Sequence, residues 1–285
     1  MHDLKKIREA EDPLERVRLA TEALAEYQDA IVELGQIRRE AVDRLRGQGL
    51  TLTQIADRAG LSRARLSQVS TKRRFPERAL FTERAPLTIA VDTKEEAGTG
   101  RRVVHQEHTT AIDTITRIAH SINVEVEGTE YITPPGMLDL NRDGLVVVCG
   151  PRRSPLIAQM LGVDERYGFE KDEDGWYLVD RFTKRDYRSP DDSGKPGDYA
   201  YLGRLPRPDG RGFWLYMAGI HAPGGEGAAL YLENNLEQLY REGKAGRWSC
   251  LVECEWDPET HRMLSASLLA PLHRPGRASA DKRRK

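Results

Sequence analysis

The spacing of apolar residues along the chain changes character near residue 86. Before it, the apolar positions follow a helical period. Over residues 13 to 46, Tyr27, Ile31, Leu34, Ala41 and Leu45 fall on one helical face, interrupted by Arg38. Asp12 and Pro13 supply an N-cap and a first helical residue, and Gly47 and Gly49 stop the pattern. The stripe is expected to pack on the helices that follow. A dimer seam is the rival reading, but the pattern is short of the heptads a coiled coil requires. Residues 50 to 74, LTLTQIADRAGLSRARLSQVSTKRR, hold two short helical patterns around Gly60.

After the prolines at 76 and 86 the pattern becomes one of short apolar runs alternating with helical stretches. LTIAVD, NVEVEGTEYI, LVVVCG, GWYLVD, DYAYLGRL and FWLYMAGI read as strands. Residues 103–122, SPLIAQMLG and a long stretch over 225–243 read as helices. RWSCLVECEW and RMLSASLLAPL, joined by DPETH, close the chain as a hairpin. Fully apolar strands flanked by helices imply a sheet covered on both faces, and the closing hairpin implies an antiparallel edge. The expected fold is an α-helical helix-turn-helix N-terminal domain plus an α/β C-terminal domain with a mixed, mainly parallel sheet. The boundaries are 1–80 for the helical domain, 81–86 for a linker, 87–272 for a Rossmann-like domain, and 273–285 for a disordered basic tail.

Charge sharpens this division. The net charge of −1 conceals a basic stretch from Arg38 to Arg74, with ten Lys/Arg against three Asp/Glu. The tail from His273 onward carries six basic residues and one acidic. A cationic front end on an acidic body is the electrostatic footprint of a modular DNA-binding protein. There is no apolar run of the ~18 residues needed to span a bilayer, and residues 1–17 have no apolar signal core. A cytoplasmic location with no membrane partner is the expectation. Cys149, Cys250 and Cys254 are too few for a disulfide framework or a four-ligand zinc site, and read as small buried hydrophobes.

In residues 50 to 74, Ile55 and Ala56 would bury the first helix, Gly60 would take the left-handed turn, and Leu61, Leu66 and Val69 would bury the second. Thr53 and Ser62 stand where N-caps are wanted. The outward face then carries Ser62, Arg63, Ala64, Ser67 and Gln68. Arg63 is suited to guanine O6/N7, Gln68 to adenine N6/N7 and Ala64 to a thymine methyl. Lys72, Arg73 and Arg74 are suited to phosphates. The segment resembles the helix-turn-helix superfamily, in particular its small sigma-region-4-like modules. That resemblance covers about Arg38 to Arg74 and implies that Ser62, Arg63, Ala64, Ser67 and Gln68 read bases. It also implies double-stranded DNA as a partner and a homodimer reading two half-sites. An ordinary αα corner is the plainer alternative.

Two strand-loop-helix junctions are the candidate ligand site of the second domain. In GPRRSP, Arg152, Arg153 and Ser154 could hold a phosphate or carboxylate beyond a strand end; solvated arginines on a tight turn are the equal alternative. In AGIHAPGGEGAALYL, Gly224, Gly225 and Gly227 would allow close backbone approach, although the run is neither a Walker A nor a Rossmann fingerprint. His221 and Glu226 form a candidate acid/base pair, with Asp139 and Asn141 as further members. His105, His108 and His120 read as a solvated helix face, and no metal site is expected. The resulting expectation is a sequence-specific DNA-binding transcriptional regulator. Its α/β domain would sense a small anionic, phosphorylated or nucleotide-like ligand, or mediate assembly. A nucleotide- or glycoside-processing enzyme with a DNA-targeting module, and an architectural or replication-associated DNA binder, are the alternatives. No cofactor is identified.

Overall fold

The computed structural model describes residues 77–275 apart from 83, 84, 134 and 135. Among the first 76 it describes 4–10, 12–17, 19, 20, 23, 34, 37, 38, 41, 42, 44–62, 66, 75 and 76. The chain divides into two compact units, Met1–Pro76 and Glu77–Lys285.

The described part of the first unit holds short helices, among them α1 (Leu4–Glu9) and α2 (Leu52–Ala59), and the residues described between 13 and 46 are helical as expected. Thr51 begins α2 in a capping box. Its hydroxyl accepts the Gln54 amide, and the Gln54 side chain accepts the Thr51 amide at 2.9 Å. Gly60 ends the helix at φ 67°, ψ 28°, where a Cβ would be strained. Ile55, Ala56, Val42 and Leu66 form a small core. These findings correct the expectation of a helix-turn-helix domain over residues 1–80. The described residues amount to short helices, the cap is Thr51 rather than Thr53, and Leu34 of the apolar stripe is 65% exposed. Arg63, Ala64, Ser67, Gln68, Lys72, Arg73 and Arg74 lie outside the described residues, as does most of the helix expected over 13–46. Of the expected base readers, Ser62 is described.

The second unit is an α/β domain. Its elements are β1 (Leu87–Asp92), β2 (Lys94–Glu95), β3 (Arg102–Val103), α3 (Gln106–Ser121), β4 (Val126–Ile132) and β5 (Leu145–Val148). Next come α4 (Pro155–Leu161), β6 (Tyr167–Asp172), β7 (Gly175–Asp180), β8 (Arg185–Tyr187), β9 (Gly197–Pro206) and β10 (Phe213–Gly219). The chain ends with α5 (Ala222–Asn234), α6 (Leu236–Gly243), β11 (Trp248–Trp256) and β12 (Met263–His273). Seven strands form one sheet in the order β12-β11-β9-β10-β5-β1-β4. β4, β1, β5 and β10 run parallel, whereas β10–β9, β9–β11 and β11–β12 are antiparallel. The sheet is therefore half parallel, not mainly parallel. The reason lies in the turn between β9 and β10, where the Arg207 amide bonds to Gly212 O at 2.9 Å. A connection that short can join only antiparallel neighbours. Short antiparallel sheets, β2–β3 and β6–β7–β8, complete the domain.

Side-chain alternation along the central strands feeds two apolar layers. Ala90, Val147, Tyr216 and Leu251 face a core shared with Ile157 and Leu161 of α4 and with Tyr167, Leu178 and Tyr187 of the three-stranded sheet. The opposite face is covered by α3 and α5, which are linked by a pair of hydrogen bonds between Arg117 and Glu233 at 3.1 and 3.0 Å. Trp214, Tyr201 and Tyr216 are wholly buried, each large aromatic contributing about 2–3 kcal/mol of transfer free energy. Buried hydroxyls are satisfied: Tyr201 donates to Asp164 at 2.7 Å and Tyr216 to the Cys149 carbonyl at 2.8 Å. The long helix expected over 225–243 is two helices broken at Asn235, whose side-chain amide bonds back to Tyr231 O. No helix among the described residues is long and apolar enough to cross a membrane.

Candidate functional site

The chain leaves β1 through α3 to β4 on one side, then returns to place β5 on the other side of β1. Such a reversal opens a crevice at the carboxyl ends of the two strands. Three strand ends converge there. β1 ends at Asp92, β5 leads through Cys149 and Gly150 into a 3-10 turn at Pro151–Arg153, and β10 ends at Gly219 before α5. The crevice has two connected parts. The inner pocket offers ≈ 20 Å³, about the room of one water, and is lined by Asp92, His108, Cys149 and Gly225 among others. The outer cavity measures ≈ 380 Å³ and includes Glu107, Asp191, Glu226 and Trp256. His105, Arg152, His221 and Ala222 line both.

At the bottom of the inner pocket, Asp92 and His108 have side chains only 7% and 8% exposed. His108 Nδ1 lies 3.2 Å from Asp92 Oδ1, and Arg153 Nε lies 3.3 Å from Asp92 Oδ2. These are ion-pair distances without hydrogen-bond alignment: Asp92 Oδ1, His108 Nδ1 and Arg153 Nε are buried and make no hydrogen bond. Burial holds the His108 imidazole below its usual pKa, against the pull of Asp92, and burial followed by Lys94 does the same for His105. Burial also pushes the Cys149 thiol well up, which keeps it a thiol and a poor nucleophile.

In the outer cavity, burial and then the neighbouring Glu107 push Glu226 up to about 7. A carboxyl so placed is half protonated near neutrality and is suited to proton transfer. His221 lines the same cavity, but its Nε2 pairs with Asp192 Oδ1 at 2.8 Å. Asp139 and Asn141 do not join them. Asn141 accepts the Asp209 amide at 2.9 Å, in the turn that precedes β10, at the opposite end of the parallel strands.

The expected ligand residues have different surroundings. Arg152 is exposed, lines both pockets and forms no ion pair among the described residues. Arg153 turns toward Asp92. Ser154 is fully buried and caps α4, donating to Gly136 O at 2.7 Å and accepting from the Ile157 amide. Gly136 must be glycine here, because at φ +83° an added Cβ would lie 2.5 Å from Arg153 O.

Gly224, Gly225 and Gly227 are not in a loop: α5 begins at Ala222, so all three are helical. A Cβ at Gly224 would meet Asp198 Oδ2 at 2.5 Å, and one at Gly227 would meet Cys254 Cβ at 2.4 Å. Gly225 alone of the three lines the inner pocket. The N-terminus of α5 is closed from within by Asp198 on β9, whose Oδ2 accepts the amides of His221 and Gly224.

Sequence patterns do not mark Asp92, and they place His108 on a solvated helix face, whereas the structure buries it. The available signal was a carboxylate ending a fully apolar strand run, LTIAVD, in the position where α/β sheets place ligand contacts. Among the described residues no group of three or more His, Cys, Asp or Glu side chains could hold a metal ion. The chain matches no protein-family model, no curated protein and no solved structure.

Proposed function

We propose that the chain is a DNA-binding regulator, acting in the cytoplasm as a homodimer, whose α/β domain binds a small ligand bearing an anionic group. The ligand half of this reading is carried by one observation. Arg152, without an ion pair among the described residues, lines both parts of a crevice formed where three parallel strands end. The exposed guanidinium is the group of the ≈ 380 Å³ cavity suited to a phosphate or carboxylate, set against the carboxyl groups of Glu107, Asp191 and Glu226 in the same lining. The DNA half is supported by the sequence of residues 38–74, with its excess of arginine and its base-reading side-chain types.

The test is selection of genomic fragments by the full-length protein at about 150 mM salt, where weak phosphate contacts are screened. Enrichment of a few fragments sharing an inverted repeat supports a dimeric, sequence-specific regulator. Recovery of unrelated fragments, or of none, removes the DNA half.

A second reading is favoured by Glu226. A carboxyl raised to about 7 in a cavity that also holds His105 and His221 suits proton transfer, as in an enzyme acting on a glycosidic or nucleotide substrate. Turnover of a nitrophenyl glycoside by the intact chain, lost in Glu226→Gln with DNA binding unchanged, would establish it.

A further inference from the structure

The inner pocket is the most unusual feature of the domain. Three polar atoms from three separate elements, Asp92 Oδ1, His108 Nδ1 and Arg153 Nε, are buried together without a hydrogen bond among them. Buried polar atoms are almost always satisfied, so Asp92 Oδ1 and His108 Nδ1, which line one small space, call for a further group, while Arg153 Nε stands outside that lining against the other oxygen of Asp92. Asp92 and His108 are each more than nine-tenths buried and line that space directly.

The chemistry of that group is constrained by what surrounds it. The volume, ≈ 20 Å³, matches one water-sized atom group better than a phosphoryl or carboxyl group. An anionic tip would also stand against the Asp92 carboxylate. A metal ion would face Arg153 and lacks a third ligating side chain among the described residues. A hydroxyl meets both requirements: its proton goes to Asp92 Oδ1 while its oxygen accepts from the His108 ring. His108 is kept neutral by burial, which leaves its ring one N–H and one lone pair to match either orientation.

Geometry then fixes the rest of the molecule. The inner pocket and the outer cavity share four lining residues, Arg152 among them. A ligand with its hydroxyl on Asp92 would extend past Arg152, which lines the same pocket. We infer that the inner pocket is a hydroxyl-recognition subsite and that the cleft takes a phosphorylated sugar, free or as part of a nucleotide, with a sugar hydroxyl on Asp92 and the phosphate on Arg152. This inference rests on the reading of the crevice as an anion-binding site given above.

The test is titration calorimetry on the full chain with inorganic phosphate, ribose 5-phosphate, glucose 6-phosphate and ADP-ribose. At least one sugar phosphate is expected to bind wild type tenfold or more tightly than inorganic phosphate, since a hydrogen bond to a charged acceptor is worth roughly that factor or more. Asp92→Asn, which preserves shape, removes that excess and leaves inorganic phosphate binding in place, which also reports that the variant is folded. Arg152→Ala weakens every probe. ADP-ribose binding more tightly than both simple sugar phosphates identifies a nucleotide; the reverse identifies a free sugar phosphate.

If no sugar phosphate exceeds inorganic phosphate in wild type, the hydroxyl subsite is wrong while the anion site stands. The hydroxyl subsite is equally wrong if the excess survives Asp92→Asn. Loss of inorganic phosphate binding along with the sugar phosphates in Asp92→Asn assigns Asp92 to the framework and overturns the inference. If no probe, inorganic phosphate included, binds wild type, the anion-site reading falls and the inference with it.

Discussion

Asp198 and Gly224 lock β9 to α5: the Asp198 carboxylate, fully buried, accepts the Gly224 amide at 3.0 Å and the His221 amide at 2.8 Å. A helix N-terminus carries unsatisfied amides and a partial positive charge, and anions from solution are often drawn to it. Here the chain supplies its own anion. The charge of the proposed anionic ligand would be met elsewhere, which leaves Arg152 as the guanidinium lining both parts of the cleft. Removing the cap by Asp198→Ala strands two amides and opens a void. We expect a loss of about 1–3 kcal/mol in urea unfolding. Unchanged stability would mean that the Asp198 cap contributes little net free energy.

Gly227 faces Cys254 on β11 so closely that an alanine Cβ would sit 2.4 Å from Cys254 Cβ. Glycine inside a helix costs about 1 kcal/mol relative to alanine, so these positions are kept by packing rather than propensity. Gly227→Ala should destabilise the domain by about 1–3 kcal/mol despite its better helix propensity. Because the collision is with Cβ as well as Sγ, Cys254→Ala should fail to rescue it, whereas Cys254→Gly should. Thermal unfolding of the three variants reads this directly.

Glu226 makes stability pH-dependent in a stated direction. Its folded value, about 7, lies above its ordinary value of 4.5, so the native state binds the proton more tightly than the unfolded chain. The stabilisation is fully present below about 4.5 and is lost as pH rises through about 7. Asp198, pushed up to about 6 by burial, acts in the same sense at lower pH. His108 and His105, both lowered, act oppositely, favouring the native state as pH rises through their ordinary range. The readout is therefore a difference: melting temperature measured from pH 4.5 to 8 should fall less, or rise more, in Glu226→Gln than in wild type. Parallel profiles would place Glu226 in an ordinary solvated environment.

The legible parts of the fold are those whose residues carry an unambiguous local period. LTIAVD, LVVVCG and FWLYMAGI announce buried strands, and the DPETH turn announces the final hairpin. Strand direction is harder to read because apolar runs look the same in parallel and antiparallel neighbours; the deciding mark is the short PRPDGRG connection between β9 and β10. β6 and β8 escape because the second half of one is charged and the other spans three residues.

The site is half legible for a similar reason. Arg152, His221 and Glu226 stand at strand-helix junctions that sequence alone marks. His108 falls in the first turn of an amphipathic helix, where its sequence neighbours are polar. Its burial depends on Asp92 and α5, which are distant in sequence. No local pattern carries that information.

The basic segment divides into residues of two expected kinds, and their substitutions should behave differently. Arg63, as a reader of guanine, makes a bidentate contact worth about 1–3 kcal/mol at one base position. Lys72, Arg73 and Arg74, as phosphate contacts, carry no sequence information and contribute through counterion release. In competition assays across single-base variants of a selected site, Arg63→Ala should erase discrimination at one position and leave the others intact. Lys72→Ala should weaken all sites alike and reduce the slope of log affinity against log salt by about 1. Uniform weakening by both substitutions would mark the whole segment as a non-specific electrostatic contact. The architectural alternative would then displace the regulator, with the cleft of the α/β domain still to be judged by its own ligand measurements.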